Sequence, residues 1–176
     1  MKYQSNRGFT VLELMITVTV LVILATVALP NMRSTIQNNR MTAQVNGFLT
    51  AFQLARSEAV KRGEPVSICA SDDSSSCSGS WEDGWIVFVD GNAVGSSSAS
   101  VDTVLQVWDG FDGDATHTGD EPDFLRYVGS GTMDRDAGIS LPVTFDIEIA
   151  DCTADNNRRL VISATGSADV RRRACN

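Results

Sequence analysis

Histidine occurs once in these 176 residues, at His117, in a loop-like stretch rich in glycine, aspartate and threonine. A lone histidine there gives a nucleophilic serine no positioned base. The chain also lacks a G-x-S-x-G elbow and a glycine-rich phosphate loop. Catalysis by those routes is excluded, and the chain reads as a non-enzyme. CxxC pairs are missing too, and the single histidine is remote in sequence from the cysteines, so a zinc site is not expected, and no cofactor is expected. Basic residues are outnumbered: 14 Lys and Arg against 22 Asp and Glu give a formal net charge of −8. Such a molecule does not attract nucleic acid as a whole, and DNA binding needs a local patch. Charge is scarcest between Phe9 and Leu29, where Glu13 is the only ionised side chain.

What is present begins with that apolar run. About twenty apolar residues at 1.5 Å rise match the hydrocarbon thickness of a bilayer, so the run can cross a membrane as one helix. A secretory signal peptide has an apolar core of about 7–15 residues. Thr26-Val27-Ala28 imitates its cleavage site, but the run before it is too long. A plain anchor fits the length and leaves Glu13 unexplained, because a carboxylate inside an apolar helix costs on the order of a few kcal/mol unless paired. A third reading accounts for both. Lys2 and Arg7 hold a short leader on the cytoplasmic side, and Gly8 before Phe9 makes a small junction that a protease can cut. Cutting there frees an α-amino group one helical turn before Glu13, and an ammonium so placed can neutralise a carboxylate in low dielectric.

Gly8-Phe9-Thr10-Val11-Leu12-Glu13 resembles the class III signal of type IV pilins and type II secretion pseudopilins. The resemblance implies that a prepilin peptidase cuts between Gly8 and Phe9 and N-methylates Phe9. It also implies that Glu13 pairs with the N-terminus of a neighbouring subunit during assembly. Loss of Lys2 and Arg7 with the leader takes the side-chain charge from −8 to −10.

Cysteines stand at 69, 77, 152 and 175, all beyond the apolar run. With Lys2 and Arg7 inside, everything after Pro30 is extracytoplasmic, where disulfides persist. Of three possible connectivities, the local one joins Cys69 to Cys77 and Cys152 to Cys175. Pro30 is expected to bend the helix without ending it. Met41, Val45, Phe48, Phe52, Ala55 and Ala59 step by four and three, drawing one stripe along a helix that runs to Arg62. Lys61 and Arg62 before Gly63 and Pro65 form the stop signal.

Past Pro65, short apolar runs alternate with Gly, Ser, Asp and Asn. Strands are expected at 66–70, 85–89, 104–108, 124–128, 143–149 and 159–164, with a last short one at 169–173. The expected fold is α+β: a long N-terminal helix, its first half in the membrane, packed on antiparallel β-sheets. The expected divisions are leader 1–8, transmembrane helix 9–29, amphipathic second half 30–63 and extracytoplasmic β-rich domain 64–176. Ser71 to Ser80 and Gly91 to Ser100 read as mobile loops. The stretch Asp109 to Asp123 concentrates acids, Asp109, Asp112, Asp114, Asp120, Glu121 and Asp123 among them. Calcium is conceivable there, but the spacing is not that of an EF-hand, and a solvated acidic loop is the plainer reading.

Trp81-Glu82-Asp83-Gly84-Trp85-Ile86-Val87-Phe88-Val89-Asp90-Gly91-Asn92 and Arg159-Leu160-Val161-Ile162-Ser163-Ala164-Thr165-Gly166 are similar to segments of the FimT, FimU and GspH group of minor pilins and pseudopilins. The residues themselves read as structural, an aromatic core strand and a turn at Asp90-Gly91. The resemblance implies a minor pilin of a type IV pilus that joins other minor and major pilins to prime assembly and sits at the tip. It implies an inner-membrane assembly platform as a partner. Before assembly the chain would be a single-pass inner-membrane protein with a periplasmic domain. A GspH-like pseudopilin of a type II secretion system is the alternative. Some FimT-like members bind DNA through a C-terminal Gly-Arg-x-Arg motif. Here Gly166-Ser167-Ala168-Asp169 stands in its place, and the candidates for phosphate contact are Arg158, Arg159, Arg171, Arg172 and Arg173. On a strand, Arg171 and Arg173 share one face and Arg172 takes the other.

Overall fold

The computed structural model describes residues 9–111, 115–118, 121–150, 152 and 155–175, with backbone alone at 27–31, 33, 34 and 118. The chain divides into two compact units, Met1–Ile36 and Gln37–Asn176. The first, where described, is helix. α1 (Val11–Arg62) is a single 52-residue helix that continues through Pro30. It ends where the stop signal lies: Gly63 takes a left-handed φ of 69°, and its N–H donates to the Ala59 carbonyl at 2.9 Å.

In the second unit, α1 contributes the stripe expected from its period. Met41, Val45, Phe48, Phe52, Ala55 and Ala59 are all at most 1% exposed. Two four-stranded antiparallel sheets carry the rest. One has the order β3-β2-β1-β5, formed by β1 (Val66–Ala70), β2 (Gly84–Asp90), β3 (Val101–Asp109) and β5 (Phe124–Tyr127). The other has the order β4-β6-β7-β8, formed by β4 (Ala115–Thr118), β6 (Val143–Ile149), β7 (Asn157–Ile162) and β8 (Ala168–Arg173).

Phe48 is where the helix and both sheets meet. Its ring lies 4.7 Å from that of Trp85 on β2, 5.0 Å from Phe145 on β6, and 5.1 Å from Phe52 on the helix. Trp81 at 5.6 Å and Phe111 at 5.9 Å join the group, and the tilted and edge-on packings are those favoured by aromatic quadrupoles. Around it, Val66, Ile68, Leu125, Tyr127, Leu160 and Ile162 form one core.

The β3-β2-β1-β5 sheet is covered on both faces. Val66 and Ile68 of β1 point to the helix, while Cys69, Ile86, Phe88 and Phe124 form a second cluster with Ala137, flanked by Ala99, Val101 and Ile139. Hence β1, β2 and β5 are buried along their full lengths, and their residues read as runs instead of alternations. The other sheet has one buried face: Val143, Phe145 and Ile147 point in, and Thr144 between them points out.

β7 begins two residues earlier than its apolar run predicts, because Asn157 and Arg158 pair with Arg173 and Arg172 of β8. It ends at Ile162, where Ser163 to Ser167 makes a tight turn. Gly166 there has a φ of 79°, and a Cβ on it would strike the Gly131 carbonyl. β4 was not expected. It lies inside the acidic stretch, is four residues long, and owes its extension to pairing with β6 from Ala115↔Ile149 to Thr118↔Asp146.

Phe48→Ala empties the point where three layers meet and is expected to cost roughly 3–5 kcal/mol in urea unfolding of the detergent-solubilised chain. Gly47 lies mid-helix with nothing within 4 Å of an added Cβ. Gly47→Ala should therefore stabilise by about 0.5–1 kcal/mol in the same assay.

Candidate assembly site

The first described turns of α1 are apolar on every side and bare. Phe9 is 83% exposed, and Val11, Leu12, Leu14, Met15 and Ile16 all stay above half. A helix apolar all round belongs in lipid or among other helices. Its hydroxyls are closed within the helix: Thr17, Thr19 and Thr26 donate to the carbonyls of Leu14, Met15 and Ile23 at 2.9, 2.8 and 2.7 Å. That leaves Glu13 as the one charged group of the run. Among the described residues no helix is long and apolar enough to cross a membrane. The described side chains of this run stop at Thr26, short of the expected 9–29 segment, and the cleavage residue Gly8 lies outside the described residues.

Glu13 also has a local role that sequence reasoning missed. Its N–H donates to Thr10 Oγ1 at 3.2 Å, and the Leu14 N–H donates to the Thr10 carbonyl at 3.2 Å. Thr10 is thus the N-cap and Glu13 the third helical residue, the T-x-x-E spacing of a capping box. A carboxylate in the first turn also complements the helix dipole. The signal was legible in Thr10-Val11-Leu12-Glu13.

The five C-terminal arginines do not form one patch. Arg159 and Arg171 are cross-strand partners on the outer face of their sheet, and Arg173 shares that face. Asp146 receives the Arg159 fork at 2.6 and 2.7 Å and Arg173 Nη1 at 2.9 Å. Glu148 accepts from Arg173 at 3.3 Å and Asp169 from Arg171 at 2.9 Å. Three guanidiniums thus meet three carboxylates. The Arg159 hydrogen bond holds the Asp146 carboxyl below its usual range, against the opposing effect of burial. Arg158 and Arg172 take the inner face. Cys152 and Cys175 are bonded with Cα atoms 5.6 Å apart, as are Cys69 and Cys77 at 5.6 Å.

A second charged cluster was not foreseen. Arg126 on β5 is fully buried on the face turned away from the helix. Its Nε donates to Asp90 Oδ2 at 2.9 Å, and Nη1 to Asp134 Oδ2 at 3.1 Å and the Ser96 carbonyl at 2.8 Å. Nη2 donates to the Ser98 carbonyl at 2.7 Å. Asp90 in turn accepts from Ser67 Oγ at 2.6 Å and from the N–H groups of Asn92 and Ser100 at 3.0 Å. The Gly91 to Ser100 segment, expected to be mobile, is therefore hung from a buried cation. Likewise Ser71 to Ser80 is tied by its disulfide and by Asp73, which accepts from the N–H groups of Ser75 and Ser76 at 2.8 and 2.7 Å.

His117 lies on β4, where its Nε2 is 2.9 Å from Glu121 Oε2 and its N–H donates to Glu82 Oε1 at 2.8 Å. Among the described residues no group of three or more His, Cys, Asp or Glu side chains could hold a metal ion. Asp112, Asp114 and Asp120 lie outside them.

An apolar helical start with a single acid, followed by a helical stripe sealed under two antiparallel sheets, is the build of a type IV pilin-like protein. The family described as type II transport protein GspH matches residues 44–166, and the prokaryotic N-terminal methylation motif matches residues 3–29. The chain belongs to the GspH family, within the GspH, FimT and FimU group of minor pilins. Crystal structures of the type IV minor pilin FimU from Pseudomonas aeruginosa strain PAO1, in two crystal forms, are similar to it. One is 26% identical with a TM-score of 0.56, covering 76% of this chain and 89% of that one. The other is 25% identical with a TM-score of 0.52, covering 74% and 91%. No curated protein matches the sequence.

Arg126→Met strands two buried carboxylates and should cost about 3–5 kcal/mol, with the amides of residues 92–100 exchanging faster by mass spectrometry. Asp146 contributes stability that is present above the ordinary carboxylate value of 3.8 and is lost as pH falls through its lower folded value. Asp146→Asn should therefore lower the melting temperature at neutral pH and flatten its dependence on acid below pH 3.8.

Proposed function

We propose that the chain is a minor pilin of a type IV pilus. Prepilin peptidase cuts it between Gly8 and Phe9 and methylates Phe9. It then joins other minor and major pilins at the inner-membrane assembly platform, to prime assembly and remain at the tip. The observation that carries this reading is the apolar helical start, exposed on all sides with Glu13 one turn from Phe9. Such a surface costs about 25 cal/mol per Å² in water. It is at home first in the inner membrane, over residues 9–29, and then against the helices of neighbouring subunits. The β-rich part, residues 64–176, is the extracytoplasmic recognising surface, strengthened by two disulfides that suit the periplasm.

A GspH-like pseudopilin in a type II secretion system is the second reading, for which the description of the matched family, type II transport protein GspH, is the motive. Both readings share the processing step and the role of Glu13. The structural likeness to a pilus component inclines us to the pilus. DNA uptake is less well supported: the outer arginines are already matched by Asp146, Glu148 and Asp169.

Mass spectrometry of the mature chain should find N-methylated Phe9 as the first residue; a start at Met1 or after Ala28 would end this reading. Glu13→Gln should leave the membrane-bound amount unchanged and lower the amount in sheared filaments by roughly tenfold or more, since an unmatched buried ammonium costs several kcal/mol. Thr10→Ala separates the two roles of the first turn. It removes the cap, at about 1 kcal/mol, and should leave filament incorporation near wild type.

A further inference from the structure

Two pairs of arginines face each other across β7 and β8: Arg159 opposite Arg171, and Arg158 opposite Arg172. Like charges directly opposite one another weaken a ladder unless something neutralises them. The outer pair has its acids. Asp146 holds Arg159 at 2.6 and 2.7 Å, and Asp169 holds Arg171 at 2.9 Å. The inner pair has none among the described residues.

Arg158 is 5% exposed, so its charge is largely out of water. Among the described residues its guanidinium donates only to neutral oxygens: the carbonyls of Asp155 and Asn157 at 3.1 and 3.0 Å, and Asn38 Oδ1 on α1 at 2.6 Å. Asp155 thus offers its backbone oxygen here and not its carboxylate. Arg172, across the ladder, is exposed and carries no ion pair among the described residues. Burial, and then repulsion from Arg172, lowers the Arg158 pKa. Among the described residues these two cations meet nothing of opposite sign, in a sheet that elsewhere matches each arginine with an acid.

We propose that Arg158 and Arg172 receive a carboxylate from a neighbouring filament subunit, an inference that rests on the filament reading above. The outer face shows the form such a contact takes: one carboxylate, Asp146, spans Arg159 and Arg173, at 2.6 and 2.9 Å. The planar fork of a guanidinium suits a carboxylate presented in this way. Three neutral oxygens fix Arg158 before the anion arrives, so little is lost in ordering it. Arg172 lies on β8, an edge strand with no neighbour on its outer side in its sheet, and from there it can close on an incoming side chain. A docking carboxylate relieves the repulsion between the two arginines, which favours the assembled state.

Arg172→Lys keeps the charge and adds an amine that a carbodiimide couples to a carboxylate in direct contact. The full chain is expressed in cells, treated with the reagent, and recovered from both sheared filaments and membranes for peptide mass spectrometry. The introduced amine should be found joined to an Asp or Glu of another subunit, a product absent from wild type. Arg171→Lys, whose neighbour is Asp169, should give only a link within its own chain. Absence of an intermolecular link in the Arg172→Lys chain from both fractions overturns the proposal. So does loss of DNA retention, or of flotation with phosphatidylglycerol vesicles, in Arg172→Ala without such a link, because the anion is then a phosphate. An immunoblot of the filament fraction reports separately whether the chain is in filaments at all.

Discussion

Everything in the folded unit converges on the ring of Phe48, where the helix, β2 and β6 all place an aromatic side chain in mutual contact. The two sheets share no strand; the helix stripe packs against residues of both, and direct contacts such as Trp81 on Phe145 and the Met133 N–H on the Ala164 carbonyl join them as well. Burial of the stripe completes the core that the two sheets share. The helix, for its part, gains most of its stability from the same contact, as amphipathic helices do. Each of the three layers would present bare apolar surface without the other two.

The two sheets solve the problem of their second face differently. The sheet containing β6 leaves that face to solvent and studs it with alternating acids and arginines, which keep it soluble without adding much to stability. The sheet containing β1 is roofed by loops, and a loop carries backbone polar groups that need partners when buried. Arg126 is the answer to that need. One guanidinium satisfies two carbonyls of the serine-rich segment, and the two carboxylates that neutralise it satisfy amides from the same covering loops. A charge in the interior thus acts as a fastener for chain that has few apolar side chains of its own.

What the sequence revealed depended on period. The stripe from Met41 to Ala59 was legible because apolar residues at steps of three and four fall on one side of a helix and on neither face of a strand. The strands at Val66–Ala70 and Val143–Ile149 were legible to the residue, since turn-forming residues bracket each of them. β4 was hidden because its inward positions, opposite Ile149 and Ile147, are Ala115 and His117, and neither is a large apolar residue that would mark an alternation in the sequence. Arg126 was hidden for the opposite reason: a charged residue in Phe-Leu-Arg-Tyr reads as solvent-facing, and only the roof of loops makes it interior. The split of the C-terminal arginines could be foreseen from the alternation of a strand. Their acids could not, because Asp146 and Arg159 meet only through the register of β6 on β7.

Within the folded unit, the buried side chains of α1 from Met41 to Ala59 all sit in one seat along the helix axis. A pull along that axis meets them in shear, and sliding the helix lengthwise requires them to leave together. A β-hairpin pulled apart end-on, by comparison, fails rung by rung. The seat of the helix therefore yields to axial force all at once or not at all.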